Sequence, residues 1–252
     1  MTGARSMRRA PARAAIVLAA CALGALAAHA DTKRATRDVP KPRDLSLARI
    51  ESRYATLVSR HRPDLAARYG IPPRAMRFVP LDEAGIDEHV RELRLLLQAA
   101  DSLGPAEALP PEAGHRLDTL RTRVRNEIDE SAPGGALRHD ALLWLDIVEA
   151  AVQAPFASGS AAGCDRTRRA TALLHLVPDA LRSAAVLMRG APPPDPASFE
   201  ARLARLESVL RRDLPARTNA CKEGRRLGEF AEADTLAAAS LMEFRRSLVP
   251  GE

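Results

Sequence analysis

The side chains that could carry chemistry in this chain are six histidines, three cysteines and a few acids standing close to them. The histidines are His29, His61, His89, His115, His139 and His175. None is followed by glutamate, so the helical zinc motif His-Glu-x-x-His is absent. No two stand three to five residues apart, and the cysteines are too few to build a thiolate zinc site. From spacing alone the chain has no metal ligand, no cofactor-binding residue and no cofactor.

Three groupings come nearest to a site. Asp87-Glu88-His89 is the densest. Adjacent helical residues point in different directions, and Ile86 and Val90 occupy the apolar face around them. The reading is a solvated charged face. His139-Asp140 stands at the start of a helix, where Asp140 suits the positive end of the macrodipole. No third group is in view to orient a base there. Gly159-Ser160-Ala161-Ala162-Gly163 leads into a helix with Arg166, Arg168 and Arg169, and a helix start after a glycine loop can hold an anion. The phosphate-loop pattern needs Gly-Lys-Ser/Thr at its end, whereas this stretch closes Gly163-Cys164-Asp165, and it does not fit the Gly-x-Ser-x-Gly of serine hydrolases. Cys164 and His175 lie about three helical turns apart, too far for a nucleophile and its base. No catalytic residue emerges.

The elements that must position these residues all have the helical period, and no strand alternation is evident. Leu47, Ile50, Tyr54 and Leu57 share one face. A short helical turn follows from Pro63 and ends at Gly70 and Pro72-Pro73. Ile86, Val90, Leu93 and Leu97 mark a second long helix, capped by Asp82 and closed by Gly104-Pro105. Leu117, Leu120, Val124 and Ile128 mark a third, from Pro110-Pro111 to Pro133-Gly134-Gly135. The fourth runs from Leu137 to Ala154, along Leu142, Leu145, Val148 and Val152. A long helix covers Asp165 to Arg189, and Pro192-Pro193-Pro194 forms a stiff turn. Phe199, Leu203, Leu206 and Leu210 define the next helix, and Phe230, Leu241, Phe244 and Leu248 the last. Pro178 and Pro215 fall inside helices and should kink them. With short loops between them, consecutive helices should pack antiparallel. The expected fold is all-α: an irregular antiparallel bundle of about six to eight helices, some proline-kinked, in one domain over residues 45–250.

The amino terminus has the three parts of a secretory signal over residues 1–30. Arg5, Arg8, Arg9 and Arg13 precede the apolar stretch Ala14 to Ala27, and Ala28-His29-Ala30 offers small residues for cleavage between Ala30 and Asp31. Leu18-Ala19-Ala20-Cys21 also resembles a lipobox, which would make Cys21 the lipidated first residue. The continuing apolar run Ala22 to Ala28 argues against that alternative. Residues 31–44 read as a flexible leader. Export to the periplasm, free or lipid-anchored, is the expected localisation.

With Cys21 removed, Cys164 and Cys221 remain. If Pro193 is the pivot of a helical hairpin, Cys164 lies 29 residues before it and Cys221 28 after it. Two arms of similar length would bring the thiols side by side at the open end, and an oxidising compartment would join them. That pairing is favoured over two unpaired small core residues.

The charge balance narrows the partners. Lys+Arg number 38 against 32 Asp+Glu, a net charge of +6, but four of those arginines lie in the first thirty residues, leaving 34 against 32. So slight an excess, with five Phe, two Tyr and one Trp, does not suit a nucleic-acid binder. After the signal no apolar run comes near the roughly 20 residues of a membrane span. The partner is expected to be an unknown protein or small molecule.

Two segments carry a resemblance. Arg62-Pro63-Asp64-Leu65-Ala66-Ala67-Arg68-Tyr69-Gly70-Ile71 is similar to the early Pro-x-x-Ala-x-x-x-Gly segment of the bacterial domain-of-unknown-function 885 family. The stretch from Arg169 through Leu173, Pro178, Leu181, Ala184 and Leu187 to Pro192-Pro193-Pro194 resembles a proline-containing helix of that family. Its members are exported or lipid-anchored helical proteins resembling zinc metallopeptidases, with a His-Glu-x-x-Pro-Gly-His motif in their second half. No residue here corresponds to that motif, so the resemblance implies the amino-terminal helical half and no catalytic residue. The expected function is a non-enzymatic exported protein with a binding or scaffolding role. The alternative is the helical half of a split zinc-metallopeptidase-like protein that needs a separate catalytic chain.

Overall fold

In the computed structural model, residues 46–71, 82–157 and 163–249 are described, and every regular element among them is helical. The cleavage pair Ala30 and Asp31, the alternative lipidation site Cys21, and Gly159 to Ala162 lie outside the described residues. The described residues all fall in one compact unit.

The first half of the fold is built on a small apolar cluster. Helix α1 (Leu47–His61) turns Ile50, Tyr54, Leu57 and Val58 inward at helical spacing. It stops at Arg62, whose backbone leaves the helical region, and Pro63 starts α2 (Pro63–Arg68) with its φ already fixed for a first turn. Helix α3 (Glu83–Asp101) begins where Asp82 accepts a hydrogen bond from the Gly85 amide at 2.7 Å, the cap the sequence predicts. Helix α4 (Pro111–Ser131) packs along α3, with Leu117, Leu120 and Val124 meeting Leu93 and Leu96 in the cluster.

The second half is built on α5 (Ala141–Ala157), which is apolar and buried on most sides and carries one polar stripe, Asp146, Glu149 and Gln153. Trp144 is the largest fully buried side chain, and its indole donates to the Leu137 carbonyl at 2.8 Å. Against α5 pack α6 (Gly163–Leu174), α7 (Val177–Leu187) and α8 (Pro196–Ser208), while the five-residue α9 (Leu214–Thr218) packs on α6 and α10 (Gly224–Leu248) on α6, α7 and α8. Helix α2 packs on α5 and so joins the two halves.

Proline acts differently from the sequence expectation. The single helix Asp165 to Arg189 is two, broken at His175 and Leu176, with Pro178 seated in the first turn of α7 where its missing N–H costs nothing. The stretch Gly163–Leu187 is long and apolar enough to cross a membrane, yet this break divides it and both pieces contribute residues to the core. Pro155, placed beyond the fourth helix by the sequence, lies inside α5. Before Pro215 the chain widens into a π-helix, Val209–Asp213, and the Leu214 amide reaches the Val209 carbonyl. The wider turn absorbs the proline, which cannot donate to the carbonyl four residues back and would collide with it.

Cys164 and Cys221 form a disulfide with Cα atoms 4.4 Å apart. The hairpin pivot in the sequence predicted this pair. The two arms of that hairpin do not lie along each other, however, because α5 and α10 pack against both of them. The arms meet at the proline turn and at the disulfide, and form a covalently closed ring. Gly163 allows the second meeting: a Cβ there would sit 2.7 Å from the carbonyl carbon of Ala220.

Candidate functional site

The chemistry-bearing residues converge where the first half of the fold meets the second. Core positions along α3 run Ile86, His89, Leu93, Leu96 and Ala100. Along α4 they run Leu117, Leu120, Val124, Glu127 and Ser131. A histidine and a glutamate thus occupy steps of two apolar stripes that face each other. His89 Nε2 lies 2.8 Å from Glu127 Oε1, and both side chains are wholly buried. This corrects the sequence reading of Asp87-Glu88-His89 as a solvated face. Asp87 and Glu88 are exposed, but His89 points inward because it, and not Val90, continues the stripe from Ile86.

Around this pair lies a larger buried polar cluster. The His61 and His89 rings lie 4.9 Å apart at a tilt of 57°. Arg62, fully buried, donates from Nε to Asp64 Oδ1 at 3.0 Å and from Nη2 to Asp64 Oδ2 at 2.8 Å. Its Nη1 lies 2.8 Å from Glu130 Oε2. Burial works against the Arg62 cation, but Asp64, Glu130 and Glu127 outweigh it and hold the guanidinium above its ordinary value. Burial, and then the Glu127 charge, push the Tyr54 phenol well above its usual range. Asp64 and Glu130 therefore clamp one buried arginine and Glu127 faces a buried imidazole, Glu130 alone keeping part of its side chain, 33%, exposed. Charges so buried persist only when paired, so the cluster locks α1, α2, α3 and α4 into one register. A solute could reach His89 or Glu127 only if these helices opened.

A second ionic group ties α5 to α8. Glu149, nearly buried, is 2.9 Å from Arg205 Nη2 and 3.3 Å from Arg202 Nη2, and Arg202 also pairs with Asp146. Burial pushes the Asp234 carboxyl on α10 up to about 6, against the opposing charge of Arg211.

The other sequence candidates stand apart. His139 is exposed, with Nε2 3.2 Å from the Pro133 carbonyl. Asp140 is the helix cap: its Oδ1 accepts from the Leu142 amide at 2.8 Å and the Leu143 amide at 3.3 Å. The two do not form a dyad. His175 is exposed in the break between α6 and α7. Among the described residues no group of three or more His, Cys, Asp or Glu is placed to hold a metal ion.

Among the described residues, concavities open on the surface at two places that bear on function. One, of about 350 Å³, lies between the start of α5, the end of α7, the proline turn and the end of α10. Its lining includes Met188, Pro193 and Leu248, with His139 and Arg189 as its ionisable groups. The other, of about 260 Å³, runs between α1 and α3 and includes Arg53, Arg60 and Glu92. Comparison with protein-family models, curated proteins and solved structures finds no match.

Proposed function

We propose that this chain is an exported helical protein with a binding or scaffolding role, and not an enzyme. The division between interior and surface carries this reading. The residues best suited to proton transfer, His89, Glu127 and Tyr54, lie in a closed interior cluster that stabilises helix register. The accessible features are concavities with mixed lining, the larger falling within the size range of small-ligand pockets. The Cys164–Cys221 disulfide supports export, because such bonds persist in oxidising compartments.

Fractionation of cells expressing the full chain, with thiol labelling under denaturing conditions, tests the reading. The expected result is protein in the envelope fraction with Cys164 and Cys221 inaccessible to label until reduced. Cytoplasmic protein with both thiols free would overturn it.

A further inference from the structure

We propose that the concavity at the proline turn binds a small monocarboxylate with an apolar body, which gives the binding role proposed above a ligand class. The site is built from three distant parts of the chain. The turn from α7 into α8 contributes Met188, Arg189 and Pro192 to Pro194, the start of α5 contributes His139 and Ala141, and the end of α10 contributes Ser247 and Leu248.

Charge selects the ligand. Arg189 is exposed and makes no ion pair among the described residues, whereas Arg182 on α7, the helix just before it, is paired with Asp179. No Asp or Glu lines the concavity. The acid nearest in sequence, Asp140, is already engaged by the amides of Leu142 and Leu143. His139 also lines the rim, but its Nε2 faces the Pro133 carbonyl at 3.2 Å, which leaves Arg189 as the anion's donor. A single guanidinium fork matches one carboxylate, in a planar two-bond contact that a lone ammonium cannot make. A polyanion would need more cations than the site holds. Most of the remaining wall is apolar, with Ala141, Ala185, Met188, Leu248 and the prolines, and the Ser247 hydroxyl is spent on the Phe244 carbonyl, so an apolar body suits the rest of the ligand. The prolines stiffen one wall, which lowers the ordering cost of binding.

A free acid and the carboxyl end of a peptide share this chemistry. Sodium hexanoate and N-acetyl-alanyl-leucine are therefore both titrated into the purified protein, followed by ¹H–¹⁵N spectra and calorimetry. Saturable shifts should appear at the amides of Arg189, Gly190, Ala191 and Ser247 with at least one of the two acids, and the tighter acid names the source. Hexanamide, lacking the charge, should bind at least tenfold more weakly, and Arg189→Gln should weaken the acid by about tenfold or more. The Tm of free Arg189→Gln should match the parent, since the side chain is exposed and unpaired. In a second variant, Ala185→Phe, the guanidinium stays and the wall fills, so the shifts should be lost. The inference is overturned if neither acid binds, if the shifts fall elsewhere, or if Arg189→Gln binds as well as the parent. Those results would leave the wider binding reading to its own fractionation test.

Discussion

Replacing Glu127 by Leu tests the interior cluster directly. The change removes one member of a pair whose two side chains are fully buried and 2.8 Å apart. His89 then keeps its place on α3 without its partner. Breaking a buried pair from one side costs about 3–5 kcal/mol, mostly because the remaining polar group stays desolvated. Against a total stability of about 5–15 kcal/mol, that is a large fraction. For a domain of this size it lowers Tm by roughly 6–20 °C. His89→Leu should cost at least as much, since the group left behind is then a buried carboxylate beside Tyr54. The double variant His89→Leu/Glu127→Leu is the decisive one. It replaces the pair by apolar side chains in two apolar stripes, and should recover most of the loss. Urea titration followed by circular dichroism gives all three values. Single variants as mild as surface substitutions, or a double variant as unstable as the sum of the singles, would refute the argument that these two groups are retained as a mutually dependent core pair.

Three further predictions concern the second half of the fold. Cys164→Ser should lower stability by about 4 kcal/mol on the chain-entropy account, because the bond closes a loop with a sequence separation of 57; equal melting of parent and variant would contradict it. Gly163→Ala should cost about 1–3 kcal/mol, since its Cβ would meet the Ala220 backbone at 2.7 Å, and an unchanged Tm would show that the approach is not needed. Asp234 has a carboxyl raised to about 6, so the folded state holds its proton more tightly than the unfolded chain does. Its contribution is therefore fully present below about pH 4 and is lost as pH rises through 6. Asp234→Asn should be more stable than the parent at pH 7 by roughly 1 kcal/mol, after discounting for partial exposure, with the gap closing at pH 4 in denaturant titrations.

The helices were legible because their apolar residues recur at helical spacing, and the Asp82 cap because it stands just before its run. Asp140 was read into the first turn of a helix from Leu137, whereas it caps a helix that starts at Ala141. The disulfide pair was legible because the two cysteines stand at nearly equal reach from the proline turn, although the arms between them do not pack along each other as a simple hairpin would. The interior cluster was not. A reading that sends polar residues outward assigns α3 the face of Val90 and Leu97, and so passes over His89, although Ile86, His89, Leu93, Leu96 and Ala100 keep the same three-and-four spacing. The matching signal in α4 is Glu127 continuing Leu117, Leu120 and Val124. Each looks like an interruption by itself. Their meaning depends on two helices facing each other across 38 residues of sequence, which local pattern does not encode. Arg62 and Asp64 were hidden for a related reason: their pairing depends on the chain leaving α1 and turning at once into α2. At Pro178 and Pro215 the sequence announced a disturbance but not its form. A full break and a π-helix both accommodate a proline, and the surrounding packing selects between them.

The most direct test of the proposed reading is the state of the protein in the cell envelope, where the proposed export would deliver it. Tagged full-length protein, extracted gently from its own envelope and analysed by size, mass and metal content, should be a monodisperse species without a metal-bearing second chain. Stoichiometric recovery of a zinc-bearing catalytic chain would contradict the account and favour the split metallopeptidase-like alternative.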